Sequence, residues 1–259
     1  MPTDIGPVLL CDGTPRGLLS ALFDAEAMRP RARAILLEQP LQIELFSNPL
    51  IVETDDEKAA RVYRAIQTKL PADAQWIFES VYACNRADRG TLLMRYLRVG
   101  WQVGTKLGQH IAHPDVWEAT AVSRKVGCEV HLLKGLVRFR QVNGVFYSRV
   151  APDHDVIGFL APHFADRLSD QNWVMHDEIR EKAVIYHGER GIWTMLDLPA
   201  DDVAEEREDV FAELWGAYHK AIAIKERVNP RVQKQHMPVR YWKNLVEMKH
   251  SEGLRLSTL

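Results

Sequence analysis

The side chains that could do chemistry gather in the centre and at the end of the chain. In the centre stand His163, Asp166, Arg167, Asp170, Asn172 and Trp173. His163 and Arg167 are four residues apart, so on a helix they share a face. A histidine oriented by a carboxylate is an acid/base pair, and the planar fork of Arg167 suits a phosphate or a carboxylate. His163 is therefore the candidate catalytic residue. The same spacing also fits a helix-end network, with Arg167 held by Asp170 and His163 satisfied in a crevice. Toward the C-terminus, Lys225, Arg227, Arg231, Arg240 and Lys243 are interleaved with Tyr241 and Trp242. Cations beside aromatic rings are the chemistry of phosphate contact and base stacking. Arg138 and Arg149 add charge near the centre, and together with Arg167 and the C-terminal set they make up the candidate nucleic-acid contacts. The bland alternative for Tyr241 and Trp242 is that they pin the chain's end to the core.

Other chemistries are excluded by what the residues lack. There is no phosphate-loop motif, no dinucleotide fingerprint and no paired-histidine zinc helix. No Gly-x-Ser-x-Gly elbow occurs. Cys128 and His131 lie three apart, but no second pair with ligand spacing completes a metal site. Three scattered cysteines, Cys11, Cys84 and Cys128, rule out both a disulfide framework and a four-thiolate cluster. Neither a metal nor a cofactor is expected.

Charge is balanced overall, with 33 Lys+Arg against 35 Asp+Glu in 259 residues, yet it is strongly segregated. Residues 197–213 are acidic, whereas 122–149 and 220–250 are basic. An apolar content of 46% supports a real core. No apolar run reaches the ~20 residues of a membrane span, and the first twelve residues lack a secretory pattern. A cytoplasmic protein that does not engage membranes is expected.

The elements that must position these residues follow from hydrophobic period. Val8–Cys11 reads as a short strand ended by Asp12-Gly13. A helix follows through Leu18, Leu19, Leu22 and Phe23, and Gln42–Leu45 alternates like a strand. Residues 55–101 are helical with a break at Pro71, and a further helix covers about 115–133. The texture then turns to period two over 136–142 and 145–150, joined by Asn143-Gly144, the signature of a two-residue hairpin. Only with regular pairing across the two-residue turn are Arg138, Arg140 and Phe146 assigned to one face of this hairpin, and Val137, Phe139 and Tyr147 to the other. A short helix at 155–167, strands at 173–176, 183–186 and 192–196, and a long amphipathic helix from about Phe211 to Lys225 complete the chain. The sum is an α+β fold. Its antiparallel sheet is flanked by helices from the N-terminal half and by the long C-terminal helix, in a single domain over 1–250 with a tail at 251–259.

Several strings in this sequence resemble one bacterial family. They are Val137-Arg138-Phe139 with Gly144-Val145-Phe146-Tyr147 and Pro152, then 160–167 (LAPHFADR), then Asn172-Trp173. The C-terminal strings are 222–230 (IAIKERVNP), Gln233, Met237-Pro238 and Arg240-Tyr241-Trp242. The family is a domain of unknown function described as a DNA-metabolism protein, and the resemblance extends from Asp12-Gly13 to Trp242. It implies a partnership with a radical SAM DNA-repair protein. In fused relatives it implies a link to a uracil-DNA glycosylase-like domain, for which the 17 residues after Trp242 leave no room. It carries no established catalytic residue. Three functions follow as expectations. The first is an accessory protein in DNA repair or modification that recognises DNA beside a radical SAM enzyme. The second is a metal-independent nucleic-acid-processing enzyme using His163, and the third a protein-binding adaptor.

Overall fold

The computed structural model describes residues 6–38, 48–142, 144–199, 229–245 and 248. The contacts group into two compact units, Met1–Gly127 and Cys128–Leu259.

The first unit is mainly helical around a small parallel sheet. Strands β1 (Val8–Leu10), β2 (Ala34–Leu36) and β3 (Leu50–Ile51) lie in the order β2-β1-β3, with Leu9 opposite both Ile35 and Leu50. Helix α1 (Pro15–Ala27) connects β1 to β2 and begins where Thr14 accepts a hydrogen bond from the Gly17 amide, with Pro15 at a position that needs no donor. Asp55 caps α2 (Asp56–Lys69) through the amides of Glu57 and Lys58. Pro71 separates α2 from α3 (Asp73–Ala83), and α4 (Arg89–Val103) follows. The strand expected at Gln42–Leu45 lies outside the described residues.

Helix α4 approaches β2 very closely. The Thr91 hydroxyl bonds both the amide and the carbonyl of Ile35, at 3.1 and 3.2 Å. A Cβ at Gly90 would stand 2.7 Å from the Ile35 carbonyl oxygen and 2.4 Å from a Leu37 methyl. Leu9, Leu18, Ile35, Leu92, Leu93 and Leu97 form the core around this contact.

Helix α5 (Pro114–Leu136) contains the boundary between the units. In the second unit the strands are β4 (Arg140–Val142), β5 (Val145–Val150), β6 (Trp173–Asp177), β7 (Lys182–His187) and β8 (Ile192–Asp197), side by side in chain order. The class is α+β, as expected, but the sheet is mixed. β5 and β6 are parallel because α6 (Ile157–Arg167) carries the chain back between them, whereas the other neighbours are antiparallel. The expectation of a purely antiparallel sheet missed that α6 is a crossover.

The hairpin itself is regular. Val142 pairs with Val145 and Gly144 has φ +84°, the left-handed conformation the turn requires. Arg140 consequently stands opposite Tyr147, on the same face, and Gln141 opposite Phe146. This corrects the face assignment made from the sequence: odd and even positions exchange faces across a two-residue turn. β4 is also shorter than expected, since α5 runs on to Leu136. Helix α6 packs on the face that carries Trp173, which stacks on Tyr186 at 5.2 Å and meets Phe139 and Phe164 edge-on. The last elements among the described residues are α7 (Pro230–His236) and a 3₁₀ segment, Val239–Asn244. The long helix expected over 211–225 lies outside the described residues.

The close approach at Gly90 yields a stability test. Gly90→Ala should lower unfolding free energy by roughly 1–3 kcal/mol, because backbone cannot yield as a flexible side chain would. Gly135→Ala, on the exposed side of α5 with no atom in reach, should raise it by up to about 1 kcal/mol. Urea midpoints of the two variants check both signs.

Candidate nucleic-acid interface

Of the central cluster, the structure turns some members inward and leaves others in solvent. Trp173 is fully buried and belongs to the core. Asn172 is a clasp: its carbonyl accepts the Phe146 amide, and its side-chain oxygen accepts the Gly188 amide at 3.0 Å. Asp166, Arg167 and Asp170 are exposed, and no hydrogen bond or ion pair joins them to one another or to His163 among the described residues. The His163 ring lies 4.9 Å from Phe164, edge to face, and its Nε2 is buried without a hydrogen bond. Burial, followed by the Lys134 and Arg167 charges, holds this imidazole below its usual value.

The opposite sheet face gathers a different set. The Tyr147 hydroxyl meets His176 Nδ1 at 2.8 Å, while His176 Nε2 lies 3.0 Å from the Leu198 carbonyl. A carbonyl only accepts, so Nε2 carries the proton and Nδ1 takes the Tyr147 O–H. Burial pushes the Tyr147 phenol upward, so it remains a donor at neutral pH. Two guanidinium groups flank its ring: Arg140 at 5.7 Å and Arg149 at 5.8 Å from the centroid. Arg149 approaches Glu178 at 3.7 Å, and Lys243 bonds the same carboxylate at 3.0 Å. A strip of three cations, Arg140, Arg149 and Lys243, therefore surrounds one tyrosine and one carboxylate. Among the described residues Arg140 has no carboxylate partner.

The remaining candidates divide between clasp and surface. Arg138 bonds the Gly135 carbonyl at 2.8 Å, closing the end of α5. Arg231 is exposed on the first turn of α7, whose amides are capped by Asn229. Arg240 pairs with Asp153 at 3.0 Å and lies over the Tyr241 ring. Tyr241 is buried and donates its hydroxyl to Glu129. Trp242 is buried against Leu136, Met237, Leu245 and Met248, with its indole N–H on the Met237 carbonyl at 2.8 Å. These two rings are committed to packing. Lys225 and Arg227 lie outside the described residues.

Sequence reasoning missed Arg140, Tyr147, His176 and Glu129 as members of the site and its support. The alternation of Arg138 and Arg140 with Tyr147 across the hairpin was the available signal for the first two. His176 and Glu129 had none, since each is defined by partners distant in the chain. No described group of acidic, histidine or cysteine residues has the arrangement of a metal site, and no described helix is long and apolar enough to cross a membrane.

Fold and face together describe an α+β protein whose second unit presents basic side chains on one side of a mixed sheet. The chain belongs to the DUF4130 family, a domain of unknown function, whose model matches residues 87–247. No curated protein and no solved structure matches it.

Two outcomes follow. Glu129→Ala should cost about 3 kcal/mol or more, because it strands the Asp153 and His154 amides and the Tyr241 hydroxyl. Arg167→Lys, by contrast, should move stability by no more than about 0.5 kcal/mol, since the side chain is exposed. The depressed His163 value means that the unfolded chain binds this proton more readily than the folded one. Its stabilising contribution is complete above about pH 6.5 and is lost as pH falls through the folded value. The pH dependence of the melting midpoint below 6.5 should accordingly be flatter in His163→Gln than in the parent.

Proposed function

We propose that this protein is an accessory factor in DNA repair or modification, which holds DNA while a radical SAM partner performs the reaction. The observation that carries the reading is the strip Arg140–Tyr147–Arg149–Lys243. Three cations converge on one sheet face with a single carboxylate among them, and one of the three has no acidic partner among the described residues. Guanidinium groups present planar forks to phosphate oxygens, and such contacts bind without regard to base sequence. Tyr147 spaces the two guanidinium groups, and His176 fixes the tyrosine from behind. Arg231 and Arg240 extend the basic surface, Arg138 adds charge where it closes the end of α5, and Arg167 adds a fork at the C-terminal end of α6. The resemblance of the sequence to a DNA-metabolism family supports the substrate and the partner. In this reading bond-breaking chemistry belongs to the partner's cofactor, in keeping with a His163 Nε2 that is closed to solvent.

Anisotropy titrations with labelled duplex and single-stranded DNA across a salt series test the interface. Changing Arg140, Arg149 and Lys243 together to Gln should weaken binding on all sequences alike and flatten the slope of log K against log salt by up to ~3, about one per phosphate contact. An unchanged slope in a folded triple variant would remove the strip from the interface. Co-purification with the radical SAM protein addresses the second half: absence of a complex, with and without DNA, would leave a DNA-binding protein with no such partner.

A further inference from the structure

The first unit contains a groove that the DNA-related reading does not use. It lies between α1, α2 and α4 and holds a cavity of about 390 Å³. Leu22, Val62, Met94 and Leu97 make its floor, and Phe23 and Trp101 stand at its sides. This volume is in the range of small-molecule sites, which are mostly apolar with a few placed polar groups.

The charges at its rim are unequal. Glu26 is already spent: its carboxylate takes the Arg98 Nε at 2.6 Å and the Arg31 guanidinium at 3.9 Å. Arg61 and Lys69 also line the groove, and among the described residues neither has a carboxylate partner. The Arg61 guanidinium instead lies 5.5 Å from the centre of the Phe23 ring, where it is held beside the opening. Eight residues on one helix place the two cations about 12 Å apart along its axis. The apolar floor therefore runs between two points at which an acidic group can be met.

We propose that this groove binds a small amphipathic anion, an aliphatic or aromatic body with a single acidic head. Apolar floor and unpaired cationic rim are together complementary to such a molecule, whereas a neutral body meets only the floor and a hydrophilic anion only the rim. A cation with the same body is repelled by the rim.

Anilinonaphthalene sulfonate carries an aromatic body with one anionic head, and N-phenylnaphthylamine has the same body without it, so the pair separates the two contributions. Titrated with the full chain, the sulfonate should bind with one-to-one stoichiometry. Arg61→Gln combined with Lys69→Gln should weaken it at least tenfold and change the neutral dye by less than twofold. Ala27→Trp fills the groove from an exposed position at the end of α1, which spares the core, and it should abolish binding of both dyes. Sulfonate binding that survives Ala27→Trp places the dye elsewhere and overturns the proposal. Equal weakening of both dyes by the charge changes does the same, as does failure of the sulfonate to bind the parent protein.

Discussion

The architecture of the second unit depends on one buried carboxylate. Glu129, on α5, accepts the Asp153 amide at 2.8 Å, the His154 amide at 3.0 Å and the Tyr241 hydroxyl. A carboxylate out of water is costly unless its oxygens are taken by donors, and here three donors come from two distant stretches of chain. The helix, the loop after β5 and the C-terminal 3₁₀ segment are thereby fixed to one point. Without that point the 3₁₀ segment would keep only its apolar contacts, the Trp242 N–H and the weak ion pairs at its surface.

The loop is gripped from its other side as well. Arg180 bonds the carbonyls of Pro152 and Asp153 and pairs with Asp177 at 2.9 Å. Asp177 is fully buried, and burial raises its carboxyl above the ordinary range even though Arg180 pulls it down. A raised acid in the folded state is a net cost once pH exceeds the unfolded value, so burying this carboxyl is unfavourable and Arg180 offsets part of that cost. Its effect is positional. It sets the end of β6 beside the exit of β5, where Glu178 stands against Arg149. The parallel pairing of β5 with β6 is thus closed at one end by the buried Asp177 with the half-buried Arg180 and filled at the other by the Trp173 aromatic cluster.

Local features of this arrangement were legible in the sequence. The Asn143-Gly144 turn, the apolar faces of α1 and α2, the break at Pro71 and the strands around Trp173 and Val184 all rest on interactions between residues close in the chain. The parallel β5–β6 pairing was not, because an amphipathic helix between two strands reads the same whether it is a crossover or an insertion. The basic candidates show the same boundary more sharply. Arg149 and Lys243 are 94 positions apart, and their convergence on Glu178 depends on the Glu129 clasp, which no period or motif displays. Arg240-Tyr241-Trp242 has the composition of a stacking platform, but composition does not say which way a ring faces. The fold turns both rings inward.

That inward turn and the basic strip are one structural fact. In the 3₁₀ segment, Tyr241 and Trp242 take the buried positions and Lys243 is left on the outside. Anchoring the two rings is what delivers the ammonium to Glu178, beside Arg149. Had the rings been exposed for stacking, nothing would hold Lys243 there, since an exposed lysine–glutamate pair contributes at most about 1 kcal/mol. The aromatic residues therefore bear on the proposed interface through position, not through contact. Tyr147 works similarly within the sheet: its hydroxyl is tied to His176, and its ring lies beside both the Arg140 and the Arg149 guanidinium groups. A face built this way holds its cations in place before any ligand arrives, so less side-chain freedom remains to be lost on binding.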